Sequence, residues 1–172
     1  FPAEIGSISS IPTGIPKKKA SPVEWEDIKR CVEFCAAYPA MQRARNKALL
    51  LIGFMGAFRR SELADIQYED LKWLAQGLVI TMRRSKTDQE GMGIKRAIPI
   101  NMDPSGICAI RALRHWIAFA GIDDGFVFRS VSKWGAVGED RLDPGSVNRI
   151  FQQIFLGAGL DTHARLSAHS LR

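Results

Sequence analysis

His169-Ser170-Leu171-Arg172 places an imidazole and a guanidinium three residues apart. At the opening of a helix that spacing lets both groups reach one phosphate. Two upstream elements offer partners. Gly56-Ala57-Phe58-Arg59-Arg60-Ser61-Glu62-Leu63 follows a long apolar segment, and Arg84-Ser85-Lys86-Thr87 follows a strand-like run. Two arginines, a lysine and a histidine suit a phosphodiester passing through a pentacovalent transition state, whose non-bridging oxygens gain negative charge. A guanidinium fork matches two such oxygens and stays charged at any working pH. Donors fixed in advance where charge develops are often the largest catalytic term.

Such groups need rigid elements to carry them. Ser21-Pro22-Val23-Glu24 predicts a helix start, with Ser21 as N-cap, Pro22 in the first turn and Glu24 closing a capping box. Trp25, Ile28, Val32 and Cys35 then recur at helical spacing, and Pro39 ends the run. A second helix is expected from about Met41 to Ala57. It turns apolar on nearly all sides after Lys47, as a central buried helix does. Arg59 would emerge at its C-terminal end, and Ser61 to Ile66 would begin another short helix. Leu78–Met82 reads as a strand, and so does Ala97–Ile100, where Pro99 marks an edge. The polar hairpin tip between them carries Lys86. Asp103-Pro104 and Asp143-Pro144 each predict a helix start, with Gly121 and Gly159 as the matching stops. Phe126-Val127-Phe128 is expected to be a short buried piece. The fold class is therefore mainly α with a small antiparallel β-sheet.

Composition sets the outer bounds. The chain has 172 residues, 46% hydrophobic, enough for one domain with its own core. A net charge of +6 and a pI near 9.5 point to an anionic partner, most simply nucleic acid. The apolar stretch Ala48–Ala57 is too short to span a bilayer. Cys31, Cys35 and Cys108 make an odd number with no metal-ligand company, which suggests a reduced cytosolic setting. Histidines and cysteines do not cluster at ligand spacing, and no glycine-rich phosphate loop is visible, so neither metal nor nucleotide cofactor is expected. Residues 1–20, rich in Ser, Pro, Gly and Ile and ending in Pro16-Lys17-Lys18-Lys19, read as a linker or tail before a domain at 21–172.

The order of these elements carries a resemblance. A buried helix, Arg-x-Ser-Glu-Leu, a basic β-hairpin with Ser-Lys-Thr, two capped helices and then His-Ser-Leu-Arg together resemble the catalytic domain of the tyrosine recombinases, the phage-integrase family. Neither short motif is specific alone; their order and spacing make the combined signal. The resemblance implies that Arg59 binds the scissile phosphate and that Glu62 orients or buffers Arg59. It implies that Lys86 protonates the departing 5′ oxygen, and that His169 and Arg172 assist proton transfer and clamp the far side of the phosphate. It also implies site-specific recombination or integration on double-stranded DNA through a 3′-phosphotyrosyl link, without cofactor, membrane or small-molecule substrate. Self-association on DNA and a cytoplasmic, nucleoid-associated location follow. In the family pattern a further His or Trp and the nucleophilic tyrosine lie beyond Arg172, so the domain is expected to be truncated before its nucleophile and inactive alone.

Blander assignments compete. Arg60 is next to Arg59, although the register of the motif favours Arg59. Lys95 rivals Lys86 across the hairpin, whereas a mobile tip can deliver an ammonium to a leaving group. Glu62 could pair with an arginine for structure alone. His115 and His163 are assigned no site role. The two tyrosines, Tyr38 and Tyr68, do not fall where the family pattern needs a nucleophile. A non-catalytic DNA-binding module, a degenerate recombinase, is the alternative function. A helical interaction domain without nucleic acid is a further one.

Overall fold

The computed structural model describes residues 23–82, 93–100 and 105–160. Five α-helices dominate them: α1 (Trp25–Phe34), α2 (Ala40–Met55), α3 (Arg60–Asp65), α4 (Ala109–Ala120) and α5 (Pro144–Gly157). A three-stranded antiparallel sheet, in the order β1 (Leu71–Leu74), β2 (Gly77–Met82) and β3 (Ile94–Pro99), lies between α3 and α4 in sequence. A two-stranded hairpin, β4 (Arg129–Val131) and β5 (Val137–Arg141), precedes α5. The mainly helical architecture with small antiparallel sheets is the one the apolar pattern predicts. No helix among the described residues is long and apolar enough to cross a membrane.

The core is built on α2. Ala48 through Ile52 are fully buried, because the helix is wrapped on all sides and packs chiefly against α4. Each buried leucine or isoleucine contributes about 1.5–3 kcal/mol relative to exposure. From α4, Leu113 and Trp116 close the other side, and the Trp116 indole N–H donates to the Val127 carbonyl at 2.8 Å. Val127 and Phe128 are fully buried, as the Phe-Val-Phe run predicts. From α5 come Val147, Phe151, Ile154 and Phe155. The Asp143 carboxylate accepts from the Ser146 amide at 2.9 Å with Pro144 in the first turn, so the expected cap is present. Gly121 ends α4 in the left-handed conformation, at φ 64°.

Two helix starts differ from expectation. Ser21 lies outside the described residues, and Val23 and Glu24 precede the helix instead of forming its first turn. α1 begins at Trp25, because the Asp27 carboxylate accepts from the Glu24 amide at 3.0 Å and fixes the cap there. α4 begins at Ala109, after an extended Cys108, although Asp103-Pro104 suggests an earlier start. Gly106 (φ 73°) turns the chain first, and its carbonyl is held by Arg111 at 2.7 Å.

Candidate active site

The site begins where α2 stops. The Phe58 amide donates to the Gly53 carbonyl and the Ala57 amide to the Phe54 carbonyl, at 3.1 and 3.2 Å. This is a Schellman closure, and it places Ala57 at φ 47°. A left-handed conformation is unfavourable for any residue with a Cβ, by roughly 1–2 kcal/mol. Phe58 then folds back into the core, fully buried over Gly56. A Cβ on Gly56 would stand 2.2 Å from the Phe58 ring, so only glycine fits beneath it. The buried phenylalanine and the helix closure fix the backbone from which Arg59 leaves.

Arg59, in an extended conformation, is the N-cap of α3. Glu62 lies one turn along and accepts twice from it: from the backbone amide at 2.7 Å and from Nη1 at 2.9 Å. The Glu62 side chain is 9% exposed and the Arg59 side chain 48% exposed. A buried carboxylate thus tethers a guanidinium on a half-exposed side chain. Such a pair is weak as a stabilising contact at the surface, but it restricts the angle at which the cation is presented. Arg60, the rival, is exposed on the first turn of α3.

A third charged group, which the sequence pattern does not single out, completes the cluster. Arg96 on β3 pairs across the ladder with Ile80 and therefore shares the core-facing side of the sheet. Its Nη1 donates to the Gly56 carbonyl at 3.1 Å, and its Nη2 lies 3.6 Å from Glu62 Oε2, the oxygen that accepts from the Arg59 amide. The guanidinium carbon sits 5.1 Å from the centroid of the Phe58 ring. Arg96 thereby joins the hairpin to the end of α2 and to Glu62. Lys95, one residue away, occupies the opposite face and is exposed.

Lys86, His169 and Arg172 lie outside the described residues. Among the assigned residues, Arg59 and Glu62 are brought together as described. Tyr38 is far from that corner. Tyr38 packs edge-on against Phe34 at the start of α2, and burial raises its phenol above the usual range. α2 has 16 residues and so separates Tyr38 from the Arg59 turn by about 24 Å. Tyr68 instead lines a groove of about 330 Å³ with Trp73, Arg114, Ile117 and Ala118. His115 is exposed and stacks on Phe119. Among the described residues no group of three or more His, Cys, Asp or Glu is arranged to hold a metal ion.

Similarity to known proteins coincides with this geometry. The signature of the phage integrase family matches residues 23–172. An integrase/recombinase XerD homologue from Selenomonas ruminantium is 45% identical over 128 residues, which are 74% of this chain and 37% of that protein. In fold, the XerA recombinase covers 94% of this chain with a TM-score of 0.63 at 16% identity, this chain matching 49% of it. The lambda integrase catalytic core covers 88% of this chain with a TM-score of 0.58 at 19% identity, and 78% of that core is matched. The chain spans under half the length of the XerD homologue and of XerA. A helix-terminal arginine tethered by the glutamate of its own Arg-x-Ser-Glu-Leu motif, in a fold shared with recombinases and matched by the family signature along nearly its whole length, leads to one conclusion: the chain belongs to the phage integrase family.

Proposed function

We propose that this chain forms most of the catalytic domain of a tyrosine-type site-specific DNA recombinase. In this reading Arg59 binds the scissile phosphate of double-stranded DNA and Glu62 holds it in the attacking pose. Lys86 supplies the proton to the 5′ leaving oxygen, and His169 and Arg172 grip the phosphate from the other side. The tyrosine oxygen attacks phosphorus, the P–O5′ bond breaks, and a 3′-phosphotyrosyl bond conserves the energy for the return step. The observation that carries the reading is the Arg59–Glu62 pair, with the Arg59 side chain half-exposed at a corner fixed by the buried Phe58. A net charge of +6 supports an anionic partner. One relative of this fold, a XerH site-specific recombinase, is described bound to its palindromic difH substrate after cleavage.

Tyr38 is not the nucleophile in this proposal, because the length of α2 separates it from Arg59 and in-line attack requires the oxygen at the phosphate. The same observation favours a second reading, in which the domain is a DNA-binding module without cleavage. The full-length protein on nicked duplex DNA, which lets the cut fragment diffuse away and traps the intermediate, separates the two. The recombinase reading expects a detergent-resistant, protease-sensitive protein–DNA adduct joined through tyrosine, without nucleotide or added metal. Duplex binding without any adduct establishes the module instead.

A further inference from the structure

The described surface offers several candidates: the groove at Tyr68, the exposed Trp134 at the β4–β5 turn, and Arg96. Arg96 is the one that several independent observations place in a role. It makes a hydrogen bond to Gly56, the C-cap residue of α2, an ion pair with Glu62 and a face-on contact with Phe58. Its Nε is buried and has no hydrogen-bond partner among the described residues. A buried polar atom left without a partner is costly, so the arginine keeps this pose through its other contacts. Those contacts all converge on the turn that presents Arg59.

We infer that Arg96 is a positioning residue for Arg59, acting through Glu62 and the Gly56 carbonyl. The inference rests on the assignment of Arg59 to the DNA phosphate. The physics is a competition for one carboxylate. Among the described residues Glu62 faces two guanidiniums, Arg59 at 2.9 Å and Arg96 at 3.6 Å, so two positive charges meet one negative charge there. Arg96 draws on Glu62 from the sheet side, and this leaves Arg59 less tightly held by the carboxylate and available to a phosphate. It also locks the hairpin strand to the Arg59 turn, so the strand leading from residue 93 and the phosphate-binding arginine move as one unit. Without Arg96, Glu62 has only Arg59 among the described residues to neutralise it, and the Arg59 guanidinium closes down on the carboxylate.

Lysine at position 96 keeps the charge but has no fork to span Gly56 and Glu62 together. Arg96→Lys therefore separates positioning from bulk electrostatics. The experiment measures duplex DNA affinity of the full-length protein against salt concentration, for four forms: unaltered, Arg59→Ala, Arg96→Lys and the double variant, each checked by thermal melting. In the unaltered background Arg59→Ala is expected to reduce the slope of log affinity against log salt by about 1, the value of one lost phosphate contact. In the Arg96→Lys background the same truncation should change the slope by less than about 0.3, since Arg59 has already been withdrawn. Equal slope changes in both backgrounds overturn the positioning role while leaving the phosphate assignment intact. No slope change on Arg59→Ala in the unaltered protein overturns the phosphate assignment itself, and the positioning role with it.

Discussion

Glu62 accepts two hydrogen bonds from Arg59, one from its backbone amide at 2.7 Å and one from its guanidinium at 2.9 Å. The first caps the helix that Arg59 opens, and the second aims the side chain. One carboxylate thus couples the backbone turn to the direction of the cation. Arg96 approaches the same carboxylate from the neighbouring sheet.

Removing that carboxylate should therefore cost stability as well as aim. Glu62→Ala leaves the Arg59 amide without its side-chain acceptor and Arg96 without its counter-charge in a largely buried place. A loss of about 2–3 kcal/mol is expected from the capping and charge-assisted hydrogen bonds together. Glu62→Gln, which retains an acceptor for the amide, should lose about half as much. Urea denaturation midpoints at constant slope measure both.

The α2 closure yields a pair of opposite outcomes. Ala57→Gly should stabilise the chain by about 1 kcal/mol, because φ 47° suits glycine and burdens alanine. Gly56→Ala should destabilise it by about 2 kcal/mol or more, since the new methyl meets the buried Phe58 ring. If both substitutions prove neutral in denaturation, the turn does not hold Phe58 as described.

The cap of α5 is a separate test of local sequence logic. Asp143→Ala removes the side-chain acceptor for the Ser146 amide and should cost about 1 kcal/mol. Asp143→Asn should recover most of it. Amide exchange along residues 144–150 would show the fraying directly.

Alkaline pH should weaken the fold through two thiols. Burial, aided by the neighbouring Cys35, pushes Cys31 up to about 12, and burial pushes Cys35 up to about 11. In the unfolded chain both ionise near their ordinary value of about 8.5. The folded state therefore holds more protons above that pH, and stability present below it declines as pH rises towards 11–12. The slope approaches about 1.4 kcal/mol per pH unit for each thiol. Burial lowers Arg45 to about 10, which acts in the opposite direction above that pH, so the comparison belongs between pH 8 and 10. Replacing Cys31 and Cys35 by alanine should flatten the decline in this window. An unchanged decline would place its origin elsewhere.

Much of this arrangement is legible in the chain itself, and the exceptions have physical reasons. The all-round apolar run after Lys47 can only be a central helix, and Asp143-Pro144 and Gly121 carry their caps in their side chains or lack of one. Arg59 and Glu62 are readable because their contact is local, three residues apart. β1 and the β4–β5 hairpin are not readable. β1 is four residues long, and β5 (Val-Gly-Glu-Asp-Arg) has no apolar alternation, so their strand state comes from pairing partners. Arg96 is hidden for the same reason. Within Ile-Lys-Arg-Ala an arginine reads as a solvated strand residue, and only the register opposite Ile80 turns it towards Phe58 and Glu62. The early start expected for α1 fails because Asp27, not Glu24, provides the reciprocal cap.

Placing Arg59 rather than Arg60 on the DNA phosphate is tested most directly by adduct formation on nicked duplex with the full-length protein. Arg59→Ala should still bind DNA but form the covalent adduct about 10²–10³-fold more slowly, the usual cost of removing one preorganised donor. Arg60→Ala should stay within about threefold of the unaltered rate, as expected for an exposed side chain outside the cluster. Adduct formation that survives Arg59→Ala and collapses with Arg60→Ala would contradict the account.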